Sequence, residues 1–489
     1  LRPRVDWRGD TDGAVEAEFP LYQLSIASVL AFVGESEWPG RVLALLATLW
    51  ASLSLHRLLE LRAGPSGALA GLLVFLVCGS SVMIATRIMP DAFSLALSIA
   101  SLAAFVRYLA IGSSLSLWLS ITALTFGALQ KPPALQLGLV MFGWAAWLAP
   151  HRLREPRLWV GFACVLAVVT AWLLHGKSLY DETGLTFGVV SGGDTKFPAL
   201  EHLLSPKIHA QLAWTSVQYG LSALGGIALL TLLARRRLDG ADLILLATVA
   251  LGLYGSLRYS YHHKMGPHYH VFASLAGAWC VARAWPPRAG KVWWAALGAA
   301  VLAQGVWRIQ VERTMRSNAI QTHLMDVAAS IRSLTEPDEL VIVRSEKPRR
   351  DALWQRRNNY ESPAMFYQAR RHGWVLPADG FEVAELERLR ARGARLPFER
   401  LRLPVPKEGA LGMVGREHAL HLADARLDRL DELRRARVAA VAHERGVRRR
   451  RARTEASSRP YHPREPRERR VFLLRHVRPQ PGQLRDAPR

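Results

Sequence analysis

GALAGLLVFLVCGSSVMIAT, residues 67–86, is a run of twenty residues without a charge. As a helix it is long enough to cross about 30 Å of hydrocarbon. Comparable apolar runs occupy 41–61, 92–111, 134–148 and 292–307. None alternates apolar and polar residues as a barrel strand must. In lipid only helices and closed barrels satisfy their own backbone, so these runs predict an all-α polytopic membrane bundle.

Composition conceals this. The 489-residue chain is 50% hydrophobic with a mean hydropathy of +0.08, values an ordinary soluble protein would also show. Its charges, however, are segregated. Residues 21–308 hold 21 Lys+Arg and 11 Asp+Glu, whereas 309–489 hold 39 and 24. Cys78, Cys164 and Cys280 all fall in apolar runs, where a thiol acts as a small apolar group, so neither a disulfide nor a metal centre is expected.

Working outward from 67–86, the sequence predicts helices near 22–34, 41–61, 67–86, 92–111, 114–129, 133–149, 158–174, 212–233, 241–257, 269–285 and 292–308. The first is too short to span and reads as interfacial or re-entrant, which leaves about ten spans. Alternate connections carry Arg57 and Arg62, then Arg107, then Arg152, Arg154 and Arg157, then Arg235 to Arg237, then Arg283, Arg288 and Lys291. Lys and Arg accumulate on the cytoplasmic side, so these turns are expected inside. Residues 1–20, the turns at 87–91 and 130–133, the loop 175–211, the stretch 259–270 and the C-terminal region are then extracytoplasmic. Arg87, Lys131, Arg258 and Lys264 are cations on the face that the charge bias should leave poor in them. A charge at the bilayer edge needs a partner or a ligand, which makes these four candidates for function.

Beyond Arg308 the pattern is that of a small soluble α/β domain, 309–400. Residues 340–343 read as a buried strand, and 327–334, 362–371 and 382–392 as helices. In the tail, 401–489, 22 of the last 89 residues are arginine and no apolar face is sustained. A disordered, solvated polycation is the favoured reading. A tether to anionic lipid or nucleic acid, and an out-of-frame translation of GC-rich DNA, are the alternatives. Aromatic residues for base stacking are almost absent, so no nucleic-acid partner is expected.

The segment Glu18-Phe19-Pro20-Leu21-Tyr22-Gln23, followed by Phe32-Val33-Gly34, resembles an element of the multispanning glycosyltransferases of the type C fold. These include bacterial relatives of the protein O-mannosyltransferases and the lipid A aminoarabinose transferases. The resemblance continues through Arg87-Ile88-Met89-Pro90-Asp91, Gln130-Lys131-Pro132-Pro133, the His/Tyr-rich stretch 259–270 and Gln368-Ala369-Arg370-Arg371-His372-Gly373-Trp374, covering about 14–400. It implies transfer of a sugar from a polyprenyl-phosphate donor to a protein, lipid or glycan acceptor, outside a bacterial inner membrane. No resident cofactor is implied; whether a divalent cation assists is open.

Such chemistry needs a carboxylate for the acceptor hydroxyl and cations for the phosphate leaving group. Glu18 and Asp91 are the acidic candidates; Arg87, Lys131, Arg258 and Lys264 are the cationic ones. The plainer readings are dipole-complementing acids at helix starts for Glu18 and Asp91, and a snorkelling lysine for Lys131. His262, His263, His268 and His270 cluster with Tyr259, Tyr261 and Tyr269, but their spacing matches no standard metal-ligand pair. Tyr22, His263 and Tyr269 are expected to line the site.

The pattern departs from the family in one respect. The principal catalytic acid of the family follows a first span, and Asp6, Asp10 and Asp12 do not match that motif. The expectation is that this span and its acid lie outside the chain. Two other classes compete: a lipid or solute transporter, though no internal repeat supports it, and a non-catalytic membrane scaffold.

Overall fold

The computed structural model describes residues 2–3, 14–34, 36–191, 200–255, 267–316, 319–345, 364–379, 383–391 and 471–474. An extended segment, 14–20, leads into Leu21–Val33 (α1). There follow Trp38–Val77 (α2), Gly79–Thr86 (α3), Asp91–Ile111 (α4), Ser114–Gln130 (α5), Gln136–Leu148 (α6) and Pro156–Thr183 (α7). Leu200–Leu204 (α8), Pro206–Thr215 (α9), Ser222–Ala234 (α10), Gly240–Gly255 (α11), Val271–Ala284 (α12) and Lys291–Arg316 (α13) complete the apolar part. A π turn at Ser216–Leu221 fuses α9 and α10 into one run. Among the described residues five runs are long and apolar enough to cross a membrane: Trp38–Val77, Asp91–Ile111, Pro156–Thr183, Pro206–Ala234 and Lys291–Gln310. The chain is a largely helical, multi-pass membrane protein.

The 40 residues of α2 are not one rod. Gly64 takes φ 72° and ψ 173°, a conformation a side chain would strain, and Pro65 follows it. A Cβ added to Gly71 would lie 2.8 Å from Leu59 Cδ1. Twelve positions along a straight helix span about 18 Å. The run is therefore a hairpin of two arms, and its tip falls between the predicted spans 41–61 and 67–86. The second arm stops short of its predicted end at 86. Cys78 is extended (φ −62°, ψ 141°), and the buried Arg308 guanidinium packs where a Cβ on Gly79 would stand, 2.7 Å from Arg308 Cζ.

The helices pack through small residues, as apolar helices in lipid do. Ser101 Oγ donates to the Ser120 carbonyl (2.8 Å), Ser120 Oγ to the Ser101 carbonyl (2.9 Å), and Ser94 Oγ to the Gly127 carbonyl (2.9 Å), which rivets α4 to α5. Leucines such as Leu45, Leu49 and Leu53 on α2 and Leu166 and Leu174 on α7 are more than half exposed. In water such stripes would be an aggregation hazard; in lipid they are the solvent-facing surface.

At the end carrying the arginine-rich turns, Asp242 is wholly buried and fully partnered. Trp279 Nε1 donates to it at 2.9 Å, Arg283 Nη2 lies 3.1 Å away and Arg62 Nη2 3.6 Å. Glu155 sits between α6 and α7, accepting from Tyr108 Oη (2.7 Å), Arg152 Nη1 (2.6 Å) and Arg157 Nε (2.7 Å).

The helix α13 runs to Arg316, past the predicted domain end at 308. Beyond it come Ala319–Leu334 (α14), Leu340–Arg344 (β1), Ala364–Ala369 (α15), His372–Leu376 (β2), Val383–Ala391 (α16) and Val471–Leu474 (β3). The strands form a parallel sheet in the order β2-β1-β3, with Ile342 opposite Trp374 and Leu473. Alternate residues of β1 feed two cores. Val341 and Val343 pack with Ile331 and Phe366, and Leu340 and Ile342 with Trp374 and Leu386. The sequence reading had no strand at His372–Leu376. It had none at Val471–Leu474 either, where arginine-rich composition masks four apolar residues that pair with β1.

Candidate functional site

The segment 14–20 is strung along the ends of α5 and α7. Phe19 N donates to the Leu129 carbonyl at 2.9 Å, Gln130 Nε2 donates to the Phe19 carbonyl, and Tyr22 N donates to Gln130 Oε1 at 3.3 Å. Trp172 Nε1 donates to the Ala17 carbonyl at 3.1 Å, and the Phe19 ring packs edge-on against Trp172 with centroids 5.0 Å apart. Buried Gln130 thus uses both ends of its amide to hold Glu18 beside the residue that follows it, Lys131.

Lys131 is the centre of the site. Its Nζ donates to Glu18 Oε1 at 2.9 Å and lies 3.8 Å from Asp91 Oδ2. Burial alone would pull the Lys131 pKa down; the Asp91 and Glu18 carboxylates outweigh it and hold the ammonium above the usual lysine range. Asp91 begins α4 after Pro90 and is 4% exposed. Among the described residues none donates a hydrogen bond to its buried Oδ2, an uncommon state for a carboxylate oxygen.

These three side chains line one end of a cavity of about 960 Å³. His268 and Tyr269, on the turn Pro267–His270, also line it, and Tyr269 is near enough to act electrostatically on Lys131. Away from the charges the wall is apolar: Leu139 and Phe142 of α6, Phe162 and Leu166 of α7, and Val249 and Leu253 of α11.

Of the residues singled out in the sequence, Glu18, Asp91, Lys131 and Tyr269 come together here. Tyr22 does not line this cavity. It is 2% exposed, donates its hydroxyl to the Gly40 carbonyl at 2.7 Å and packs against Phe93, so it pins α1 to the start of α2. Arg87 caps α3 and is likewise outside the lining. Arg258, His263 and Lys264 lie outside the described residues. Gln136 is a lining residue the sequence reading missed: its Oε1 is buried and accepts no hydrogen bond from the described residues. The signal was faint, a polar residue one turn after Lys131-Pro132-Pro133 at the head of an otherwise apolar helix. Among the described residues no group of three His, Cys, Asp or Glu could hold a metal ion.

Residues 17–175 match the family model described as dolichyl-phosphate-mannose-protein mannosyltransferase. Glu18, Asp91 and Lys131 all fall inside that stretch; Tyr269 falls outside it. Among solved structures the chain is similar to ArnT from Cupriavidus metallidurans in the apo state, at 13% identity and a TM-score of 0.47, over 74% of this chain and 76% of that one. It is also similar to the same protein bound to undecaprenyl phosphate, at 14% identity and a TM-score of 0.44, with the same coverage. No curated protein matches it. Over residues 17–175, then, the chain is similar to the dolichyl-phosphate-mannose-protein mannosyltransferases.

Proposed function

We propose that the chain moves a sugar from a polyprenyl-phosphate donor to an acceptor at the extracytoplasmic face of a bacterial inner membrane. One observation carries the reading: a lysine and two carboxylates, paired with one another, stand in the wall of a cavity that is otherwise lined mostly by apolar side chains. A polyprenyl-phosphate sugar has that polarity, a charged head on a hydrocarbon chain.

In this arrangement Lys131 pairs with the donor phosphate and Glu18 holds Lys131 in place. Asp91 Oδ2 accepts the proton of the acceptor hydroxyl. The acceptor oxygen bonds to the anomeric carbon as the bond from that carbon to the phosphate oxygen breaks, and polyprenyl phosphate leaves with the electron pair. Groups aimed where charge develops are worth most in a site that excludes water. One lysine between two carboxylates leaves the cluster net negative, so the phosphate requires further cations. Arg258 and Lys264 precede the cavity-lining turn Pro267–His270 in sequence, and Arg87 precedes Asp91 by four positions across the turn between α3 and α4; these are the proposed sources.

The wider architecture proposed with it has about ten spans in 21–308, and a soluble domain in 309–400 on the same side as the cavity mouth. The hairpin in α2 supports the higher span count, since it makes two crossings of one helical run.

Membranes containing the chain, supplied with polyprenyl-phosphate donors bearing radiolabelled sugars, test the activity. Asp91→Asn and Glu18→Gln are expected to lower transfer by about a hundredfold or more, the usual scale for loss of a proton-transfer or charge-positioning group. Wild-type rates in both variants, or no transfer from any donor by folded protein, would overturn the reading.

A further inference from the structure

Glu16 lies two residues before Glu18 and is 1% exposed. A buried carboxylate is costly unless its oxygens are satisfied. Among the described residues its partners come from one loop: Val190 N donates to Oε1 at 2.6 Å, Ser191 N to Oε1 at 2.9 Å and to Oε2 at 3.1 Å, and Thr186 Oγ1 to Oε2 at 2.5 Å. The backbones are joined as well, Glu16 N to the Leu185 carbonyl at 3.1 Å and Phe187 N to the Glu16 carbonyl at 2.9 Å. Thr186 Oγ1 in turn accepts from Gly188 N at 2.7 Å.

The loop wound around this carboxylate supplies Phe187, Gly188 and Val189 to the wall of the cavity that holds Glu18, Asp91 and Lys131. Phe187 is 40% exposed. One short segment therefore carries two acids with different tasks: Glu18 holds the cation, and Glu16 holds a wall.

We propose that Glu16 is a positioning residue that sets the Phe187–Val189 wall of the cavity, and that this wall contacts the acceptor substrate. The proposal rests on the glycosyltransferase reading. A loop held by charge-assisted hydrogen bonds keeps its backbone in register with the Glu18–Lys131 pair, because both are anchored to the same extended segment.

The test uses the full chain in detergent, as wild type, Glu16→Gln, Phe187→Ala and the double variant. Amide hydrogen exchange, thermal unfolding and transfer kinetics are measured on each. Glu16→Gln is expected to speed exchange at Val190 and Ser191, and to raise the acceptor KM about tenfold with kcat changed far less, the scale on which misplacing a binding wall costs. Phe187→Ala should raise the same KM, and the double variant should be no worse than the worse single one, as for residues acting through one contact. Unchanged exchange, a KM at the wild-type value, additive effects, or losses that track the folded fraction would each overturn the proposal. If the wild type transfers nothing from any donor, the glycosyltransferase reading fails and with it the acceptor contact. Exchange at Val190 and Ser191 in Glu16→Gln still decides whether Glu16 sets the wall.

Discussion

At the scale of single residues, the molecule handles its charges in two ways. Lys131, between Asp91 and Glu18, is held above the usual lysine pKa of about 10.4. Its own deprotonation removes that stabilisation only in strong alkali, so the lysine proton itself confers no acid sensitivity. Glu155 is one source. Burial pushes its pKa up, but hydrogen bonds from Arg157, Arg152 and Tyr108 win and bring it to about 2. A depressed carboxylate pKa stabilises the fold above the unfolded value of about 4.3, and that stabilisation is lost as pH falls towards 2. Thermal melts between pH 6 and 2 should therefore show a steeper acid loss for wild type than for Glu155→Gln. Parallel curves would show that the cluster contributes nothing.

At the scale of elements, close approach of backbones decides the packing of the α2 hairpin. A Cβ on Gly71 would lie 2.5 Å from the Ala278 carbonyl oxygen of α12, and one on Gly67 would lie 2.6 Å from that of Ala282. Glycines four apart make the flat face on which α12 rests. Gly71→Leu should cost about 1–3 kcal/mol, the range for overpacking a close contact, read as a lowered melting temperature in detergent. Leu69→Ala, two positions away on a side chain 43% exposed, should change it little. Equal melting temperatures for Gly71→Leu and wild type would mean that the helices can separate without loss.

At the scale of the whole molecule, the charge bias and the cavity imply opposite faces. The arginine-rich turn 150–157 should be cytoplasmic, and the far end of α7, beside the Glu16-bound loop, extracytoplasmic. His151 and Ser178 are both exposed and lie near the two ends of α7. With Cys164, the exposed cysteine, changed to Ser, a cysteine introduced by Ser178→Cys should react with a membrane-impermeant thiol reagent on spheroplasts. One introduced by His151→Cys should react only after permeabilisation. The reverse pattern would invert the orientation and put the active face in the cytoplasm.

Hydrophobic runs such as 67–86 determined by themselves that this is a helical membrane protein, because a span is a local property: about twenty apolar residues suffice wherever they sit in the chain. Asp91 and Lys131 stood out for a related reason, as charges beside hydrocarbon that demand a partner, and Glu18 through the motif around it; the structure brings the three together. What sequence could not determine was which partner each takes. Tyr22 belongs to the most telling motif and yet is spent on the Gly40 carbonyl, while Glu16, with no motif around it, braces the cavity wall. The strand at 372–376 was hidden because a parallel strand is defined by its neighbour, here Leu340–Arg344. Tertiary structure alone decided these, since a hydrogen bond across 174 positions, from Val190 to Glu16, leaves no trace in local composition.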